Sequence, residues 1–554
     1  MSDQELVFVA LGGLGEIGMN AGLYGIGSGK NRQWLMVDVG VSFAGDDVPG
    51  VDLILPDIRF IEAEKRNLAG IIITHAHEDH FGALAELWPK LGATVYMTQF
   101  AADLLEARRL REAGAPKIPV KVIEQGSTHD IGPFRVEFVP VAHSIPESCA
   151  LAINTPAGTV LHTGDWKIDP TPVVGRPTDA ARLKAIGDAG VLALVCDSTN
   201  VLRDGISPSE TEVGATLKTM IAEAPGRVAV TTFASNVARL RSVAEAALAA
   251  EREVVVVGRA MERVVEIARD LGFLKGLPPF RSTDNYGYFP RDKVVLLLTG
   301  SQGEPRAALA RVAAGEHPHV TLAPGDRVIF SSRTIPGNEK SVGKIINELV
   351  KQNIEVITDR HGLVHVSGHP RRAELEQMYG WIRPRIAIPA HGEALHLTEQ
   401  SAFARAHNVA EVVRAFNGDV VRLAPGKASV INQIPSGRIY KDGSLLVASN
   451  EPTLQERRKL SFAGVVSVSV ALNANGGVVG EPEIMASGLP IHSDDNESML
   501  DIIADAVDEL LDNLPRAKRR DPDAVRTAIE KTVRSTVADE WDKKPICHVA
   551  VITV

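Results

Sequence analysis

Three histidines and two acidic residues stand within six consecutive positions of this chain, His75-Ala-His77-Glu78-Asp79-His80. Imidazole nitrogens are borderline donors and carboxylate oxygens hard ones. That mixture suits zinc, manganese or iron better than calcium or magnesium. His75 and His77 can reach one ion while Asp79 and His80 point to a second. Further ligand-type residues follow downstream, each after a β-rich run and before small polar residues: His143 in His143-Ser-Ile-Pro-Glu147, Asp165 in Thr163-Gly-Asp165-Trp-Lys167, and Asp197 in Asp197-Ser-Thr199-Asn200. Another strand-like run delivers His391 in Pro389-Ala-His391-Gly-Glu393. Taken singly, each reads as a turn or a cap. As a series after the histidine cluster, they read as one site at the ends of strands.

Such ligands must be held still. The apolar run 68–73 reads as a buried strand feeding the histidine turn, and 81–91 as a helix at least at its start. A loop anchored by sheet and helix has fixed ends. Runs at 94–97, 120–123, 134–141, 158–163 and 191–196 read as further strands, and 101–113 as a helix. Near the start, Gly13-Leu-Gly15-Glu-Ile-Gly18 with Asp38 twenty residues on imitates a dinucleotide-binding fingerprint. Its context defeats it, because Gly22, Gly25, Gly27 and Gly29 crowd the place where a helix should open. Strand at 21–26, turn, and strand at 33–37 is the better reading. Asp38 then ends a strand near the metal turn, placed to orient a ligand histidine. The loop 45–58 carries several carboxylates and reads as a solvated turn.

From about residue 206 the pattern changes. Ser207-Pro208-Ser-Glu210 reads as a capping box with proline at the first helical position. Strands at 226–232, 253–257, 294–299, 327–331 and 354–358 then alternate with helices, which predicts parallel α/β units. Their ends carry polar loops, among them Phe233-Ala234-Ser235-Asn236 and 331–338, where such sheets keep a ligand crevice. His365-Val366-Ser367-Gly368-His369-Pro370 precedes another helix. Gly368 permits close backbone approach, and a helix N-terminus with free N–H groups favours phosphate. Residues 450–459 read as a charged linker. Beyond them come a hairpin with an Asn475-Gly476 turn, two helices and a final strand, a ββααβ domain suited to oligomerisation rather than catalysis. The expected organisation is a first domain at 1–205 and 361–445, an inserted domain at 206–360, a linker at 446–460 and a terminal domain at 461–554.

Composition bounds the function. A chain of 554 residues exceeds one ordinary core, and 45% hydrophobic with 23% charged residues is globular. Cys149, Cys196 and Cys547 are far apart and form no CxxC, which fits a reducing compartment. Met1-Ser-Asp-Gln-Glu-Leu6 has neither a basic start nor an apolar core, so no signal peptide is expected. No apolar run approaches the roughly 18 residues of a membrane span. A formal charge of −10 argues against non-specific coating of nucleic acid, though not against a nuclease with cations in one channel. Arg516-Ala-Lys518-Arg519-Arg520 is the sharpest basic run and reads as a solvated loop between helices.

The His75–His80 segment, His143, Asp165 and His391 together resemble the dinuclear site of the metallo-β-lactamase superfamily. The α/β insertion, Asp197, His365–His369 and Pro389-Ala-His391-Gly-Glu393 resemble its β-CASP branch, whose members cut nucleic acids. Gly12-Gly-Leu-Gly-Glu-Ile-Gly-Met-Asn20, Pro49-Gly50-Val-Asp52-Leu-Ile-Leu-Pro-Asp57, Phe233–Asn236 and the terminal domain extend the resemblance, over the whole chain, to the ribonuclease J family.

The resemblance implies an αββα sandwich with an inserted parallel α/β β-CASP domain and a small α+β C-terminal domain. It implies one ion on His75, His77, His143 and Asp165, and a second on Asp79, His80, Asp165 and His391, both zinc, with manganese an alternative. Two ions acidify a water, whose hydroxide attacks phosphorus, and neutralise phosphodiester oxygens. Asp79, Asp165, Asp197 and His369 are the implied catalytic set, His369 donating a proton to the leaving 3′ oxygen and Asp197 orienting it. Phe233, Ala234, Ser235 and Asn236, with His365, Val366, Ser367, Gly368 and His369, are implied to hold RNA and to seat a 5′-monophosphate one nucleotide from the scissile bond. The implied activity is 5′-to-3′ exonucleolytic and also endonucleolytic, in RNA maturation and decay, in the cytoplasm. The implied assembly is a homodimer or homotetramer with RNA-degradation partners.

A structural calcium is further implied at Gly50, Asp52 and Asp442. Here the chain departs from the family, lacking further glycines after Asp442-Gly443, and it carries Glu147 where many relatives have aspartate. Three rival readings remain. The first, a thioester or lactone hydrolase on the same metal core, is opposed by the insertion and the Ser-Gly-His turn. The second, a silent RNA-binding scaffold, is opposed by the complete ligand set. The third is DNA as substrate, since discrimination rests on contacts to the 2′-OH.

Overall fold

A computed structural model of the chain describes residues 4–45, 47–335 and 337–554. Residues 1–3, Asp46 of the carboxylate loop and Pro336 of the 331–338 loop lie outside the described residues. The chain divides into two compact units. One comprises Leu53–Tyr440 with the chain up to Phe43; the other comprises Ala44–Asp52 with Lys441–Val554.

In the first unit, β-branched and aromatic runs build two sheets. The eight-stranded sheet runs in the order Ser429–Gln433, Asp419–Ala424, Leu6–Gly12, Ala21–Ile26, Gln33–Val37, Leu68–Ile72, Val95–Met97, Val120–Val122. The seven-stranded sheet runs Thr128–Ile131, Phe134–Pro140, Cys149–Thr155, Gly158–His162, Ala193–Asp197, Ile386–Ala390, Glu411–Val412. Phe8, Tyr24, Leu35 and Val37 of the first share a buried core with Phe138, Leu151, Ile153 and Val195 of the second. On the far side of the second sheet, Leu161 and Leu194 pack with Leu183, Leu375 and Phe403 of the helices Ala180–Ala189, Arg372–Ile382 and Ala394–Ala406. Each large apolar side chain so buried contributes about 1.5–3 kcal/mol. This is the expected αββα sandwich. Its glycine-rich start is strand, as expected: Val9 stands opposite Leu23 and Leu23 opposite Met36, both antiparallel.

The insertion is a sheet of five parallel strands, Glu253–Val257, Val294–Leu298, Val228–Thr231, Arg327–Phe330 and Glu355–Ile357. Its first helix, Glu210–Ala222, opens two residues later than the sequence suggests. Ser209 is the cap, its N–H donating to Glu212 at 2.9 Å. Glu210 cannot close the box because its buried carboxylate is paired with Arg239 at 2.8 Å.

The second unit holds a three-stranded sheet, Glu483–Ser487, Val465–Leu472 and Ile546–Thr553, under the helices Met499–Asn513 and Pro522–Trp541. Val466, Val468, Val470 and Leu472 alternate inward onto Ile503, Val507, Ile529 and Val533. The Asn-Gly turn forms, with Asn473 N–H on Gly477 O at 2.8 Å. The main ladder resumes only at Ser469 opposite Glu483, so the hairpin carries a long excursion. The expected linker is partly wrong: Thr453–Ala463 is helical. No helix among the described residues is long and apolar enough to cross a membrane.

Candidate metal centre

Strand direction brings the ligands together. Gly158–His162, Ala193–Asp197 and Ile386–Ala390 are mutually parallel, so Asp165, Asp197 and His391 emerge at one edge. Phe134–Pro140 runs the same way, two antiparallel steps from Gly158–His162, and delivers His143 there. In the other sheet, Gln33–Val37 and Leu68–Ile72 are parallel and end in Asp38 and in the turn carrying His75 to His80. His391 is held at a left-handed φ of 51°, which costs an ordinary residue about 1–2 kcal/mol. The surroundings fix it there: its N–H donates to Gly13 O at 2.9 Å, and Thr199 Oγ1 lies 2.6 Å from its Nδ1.

Two sets of donors converge. In one, His77 Nδ1 lies 3.1 Å from both His75 Nε2 and His143 Nε2, while Asp165 Oδ2 lies 3.8 and 3.6 Å from those two nitrogens. In the other, His80 Nε2 is 3.2 Å from Asp165 Oδ2 and 3.6 Å from Asp79 Oδ2, and His391 Nε2 is 3.1 Å from Asp79 Oδ2. Donors about 2.0–2.2 Å from a tetrahedral ion stand some 3.3–3.6 Å apart, so both sets have the right size. Asp165 belongs to each, and its Oδ1 is buried without a hydrogen-bond partner among the described residues. An orphaned carboxylate oxygen between two imidazole clusters is a good seat for a cation.

The electrostatics agree. Burial and neighbouring histidines push His75 and His143 well below their ordinary range, and burial takes His77 down to about 4. All three offer neutral lone pairs. Burial alone would raise Asp79, but His80 and His391 hold its carboxyl below the usual range. Burial would lower His80 and His391 too, yet the facing carboxylates, Asp165 foremost, raise both. Protons on these rings balance the negative charge that divalent cations would balance instead.

Asp38 does what its position suggested. Its Oδ2 accepts from His80 Nδ1 at 2.7 Å, and its Oδ1 accepts from Thr74 N–H at 2.8 Å, turning the His80 ring so that Nε2 faces the site. Asn20 and Thr199 stand in quoted motifs but received no role from sequence. Asn20 N–H donates to Asp79 O at 2.9 Å, and its Nδ2 stands 3.1 Å from His80 Nε2. Glu147 replaces an expected aspartate and accepts from Phe100 N–H at 2.8 Å, in the first turn of helix Gln99–Arg109.

His369 is brought beside the ligands, its Nδ1 2.8 Å from Asp197 Oδ2 and 3.8 Å from Asp165 Oδ2. Its side chain is 19% exposed, against 0–5% for His75, His80, His143 and His391, so its far edge can meet a substrate. Ser367 Oγ and His369 O both accept from Asn200, at 2.9 and 3.1 Å. The following helix does not offer free N–H groups as expected. It begins at Arg372, and the N–H groups of Arg372 and Ala373 are spent on Arg203 O and Gly205 O. Asn236 caps helix Val237–Ala249 through Arg239 N–H at 2.9 Å. Buried Arg239, which nothing in the sequence marks, donates to Ser331 Oγ at 2.6 Å and Val364 O at 2.9 Å. It thereby ties the helix that Asn236 caps to Val364, the residue before the 365–369 segment.

Gly368 carries a prediction. Its carbonyl accepts from His143 Nδ1 at 2.7 Å, and a β-carbon there would stand 2.5 Å from His143 Cε1. Gly368→Ala must therefore swing a ligand ring. We expect metal content and activity to fall roughly 10–100-fold, the usual result when a ligand loses its support. Metal analysis of the purified variant measures this.

Comparison with known proteins gives a consistent set of likenesses. Residues 18–259 match the metallo-beta-lactamase superfamily, 225–349 the ribonuclease J beta-CASP domain, 353–410 the Zn-dependent metallo-hydrolase RNA specificity domain, and 452–554 the ribonuclease J C-terminal domain. The chain is 54% identical over 552 residues to ribonuclease J of Sinorhizobium meliloti, covering 100% of this chain and 98% of that protein. It is 40% identical to ribonuclease J of Mycolicibacterium smegmatis, covering 98% and 97%. A crystal structure of a protein of unknown function from Enterococcus faecalis V583 shares the fold, with a TM-score of 0.53 at 16% identity, over 76% of this chain and 100% of that one.

Proposed function

The chain belongs to the ribonuclease J family of metal-dependent ribonucleases, and on that premise we propose that it shortens RNA from the 5′ end, favours a 5′-monophosphate, and also cuts internally. The observation that carries the reading is the pair of donor sets sharing Asp165, with His369 beside them on Asp197.

His75, His77, His143 and Asp165 would hold one ion, and Asp79, His80, Asp165 and His391 a second, zinc or manganese. When bound, such ions supply an acidified water as nucleophile and positive charge against the phosphodiester oxygens. The chain does the rest. Asp38, Thr199 and the Gly368 carbonyl fix His80, His391 and His143. His369, oriented through Nδ1 by Asp197, presents its other nitrogen as proton donor to the leaving 3′ oxygen.

Phe233–Asn236 and His365–His369 would grip RNA. Burial takes His365 down to about 3, with the charges of Arg239, Lys167 and Arg333 adding to the shift. The reading extends to a cytoplasmic homodimer or homotetramer with RNA-degradation partners. The unpaired cysteines support a reducing compartment, and Met485 and Ile552, exposed in the second unit, support self-association.

The test uses 3′-labelled RNA with a 5′-monophosphate, the same RNA with a 5′-hydroxyl, and the same sequence as DNA. We expect the monophosphorylated RNA to shorten from its 5′ end. The 5′-hydroxyl RNA should react at least roughly tenfold more slowly, because each charge-assisted hydrogen bond lost costs about 1.5–3 kcal/mol. Equal cutting of DNA would move the assignment to a DNA nuclease. Binding without cutting in zinc or manganese would move it to a scaffold.

A further inference from the structure

The calcium that the resemblance implies would lie among Gly50, Asp52 and Asp442, and the second unit does bring these positions together. Asp52 N–H donates to Lys441 O at 2.8 Å, and Gly443 N–H donates to the Asp52 carboxylate at 2.9 Å. What stands among them is a guanidinium. Arg457, on the helix Thr453–Ala463, donates from Nη2 to Asp442 Oδ2 at 2.5 Å and from Nη1 to Pro49 O at 3.4 Å. A β-carbon on Gly50 would meet that Nη1 at 3.0 Å and the guanidinium carbon at 3.6 Å, so the group lies directly against the glycine. Arg458, its neighbour, donates to Asp47 O. One helix thus clasps the 47–50 loop with two arginines.

These donors do not fit the ion. Calcium takes 6–8 oxygens at 2.3–2.6 Å. Here Asp442 and the Pro49 carbonyl already face a cation, and one oxygen of the Asp52 carboxylate accepts a backbone N–H. A divalent ion would sit against a fixed positive charge. The glycines that would let backbone oxygens turn inward after Asp442-Gly443 are absent, and Ser444, Leu445 and Leu446 stand there.

We infer that Arg457 replaces the calcium: its guanidinium clasps Asp442 to the 47–50 loop, and the second unit folds without a divalent ion. The charged stretch that reads as a linker thereby has a structural task. Arginine suits it, since its planar fork can serve a carboxylate and a carbonyl at once while always charged.

The full-length protein tests this by calcium analysis after dialysis against calcium and by scanning calorimetry in EGTA or calcium. Wild type should retain no calcium and melt identically in both buffers. Arg457→Ala should lower the transition of the second unit by several degrees in EGTA, and Arg457→Lys by less. The inference is overturned if wild type keeps one calcium per chain or melts higher with calcium. It is equally overturned if Arg457→Ala melts as wild type does. The wild-type measurement stands even where the alanine variant fails to fold.

Discussion

Asp165→Asn should lower RNA cleavage by roughly ten-thousand-fold and remove metal from both halves of the centre. The expectation follows from one side chain serving two donor sets. Its Oδ2 lies 3.2 Å from His80 Nε2 and 3.6 Å from His143 Nε2, and its Oδ1 3.9 Å from His391 Nε2. Asparagine keeps the shape but loses the charge, and half of its head group becomes an N–H donor facing the imidazoles. Without bound cations, a water at the site is no longer acidified, so far less hydroxide is available to attack phosphorus. Asp79→Asn touches only the second set and should leave metal on the histidines of the first. Metal per chain, measured by mass spectrometry beside a melting curve, separates this from misfolding. A variant at position 165 that keeps a full metal complement and cuts RNA would end the shared-carboxylate reading.

Much of this centre could be read from the chain because metal chemistry restricts residue type. Histidine and aspartate after β-branched runs are rare enough that His75 to His80, His143, Asp165 and His391 stood out in sequence, and strand direction then gathered them. Asp38 could also be placed as the end of the strand 33–37 near the histidine turn, and the parallel pairing of that strand with Leu68–Ile72 is what puts it there. The supports were not legible. Asn20 acts through its backbone N–H and side-chain amide, Thr199 through a hydroxyl and Gly368 through a carbonyl, and such groups are common in any loop. Gly40 is the sharpest case. A β-carbon there would lie 1.7 Å from the Asp79 carbonyl, so glycine is required by a neighbour thirty-nine residues away.

Local propensity misled wherever a tertiary bond competed. Ser207-Pro208-Ser-Glu210 has the form of a capping box, but the Glu210 carboxylate serves Arg239 and the cap moved to Ser209. The residues after Pro370 have the form of a phosphate-binding helix start, yet Arg203 O and Gly205 O take the first N–H groups. Near His365, Lys167 and Arg239 are likewise committed to tertiary pairs, buried against Asp169 and Glu210.

His369 and Asp197 give the second large effect, and it has a signature in pH. Burial would lower the His369 ring, but the carboxylates of Asp197 and Asp165 hold it up to about 9. The ring therefore carries its proton through neutral pH and loses it as pH rises through that value, so a donor role predicts falling kcat on the alkaline side. Cations on Asp165 cancel the share of that carboxylate and leave that of Asp197, which sits 2.8 Å from Nδ1. Asp197→Asn should thus move the alkaline limb to lower pH, because the ring then deprotonates earlier. His369→Ala should lose roughly 100- to 10,000-fold in kcat on RNA, the range of general acid catalysis. The loss should nearly vanish on bis(p-nitrophenyl) phosphate, whose leaving phenolate departs without a proton. A merely structural histidine would cost both substrates equally and leave the limb where it was. If His369→Ala slows the activated ester as much as RNA, proton donation belongs to another group, and His369 serves to position the phosphodiester.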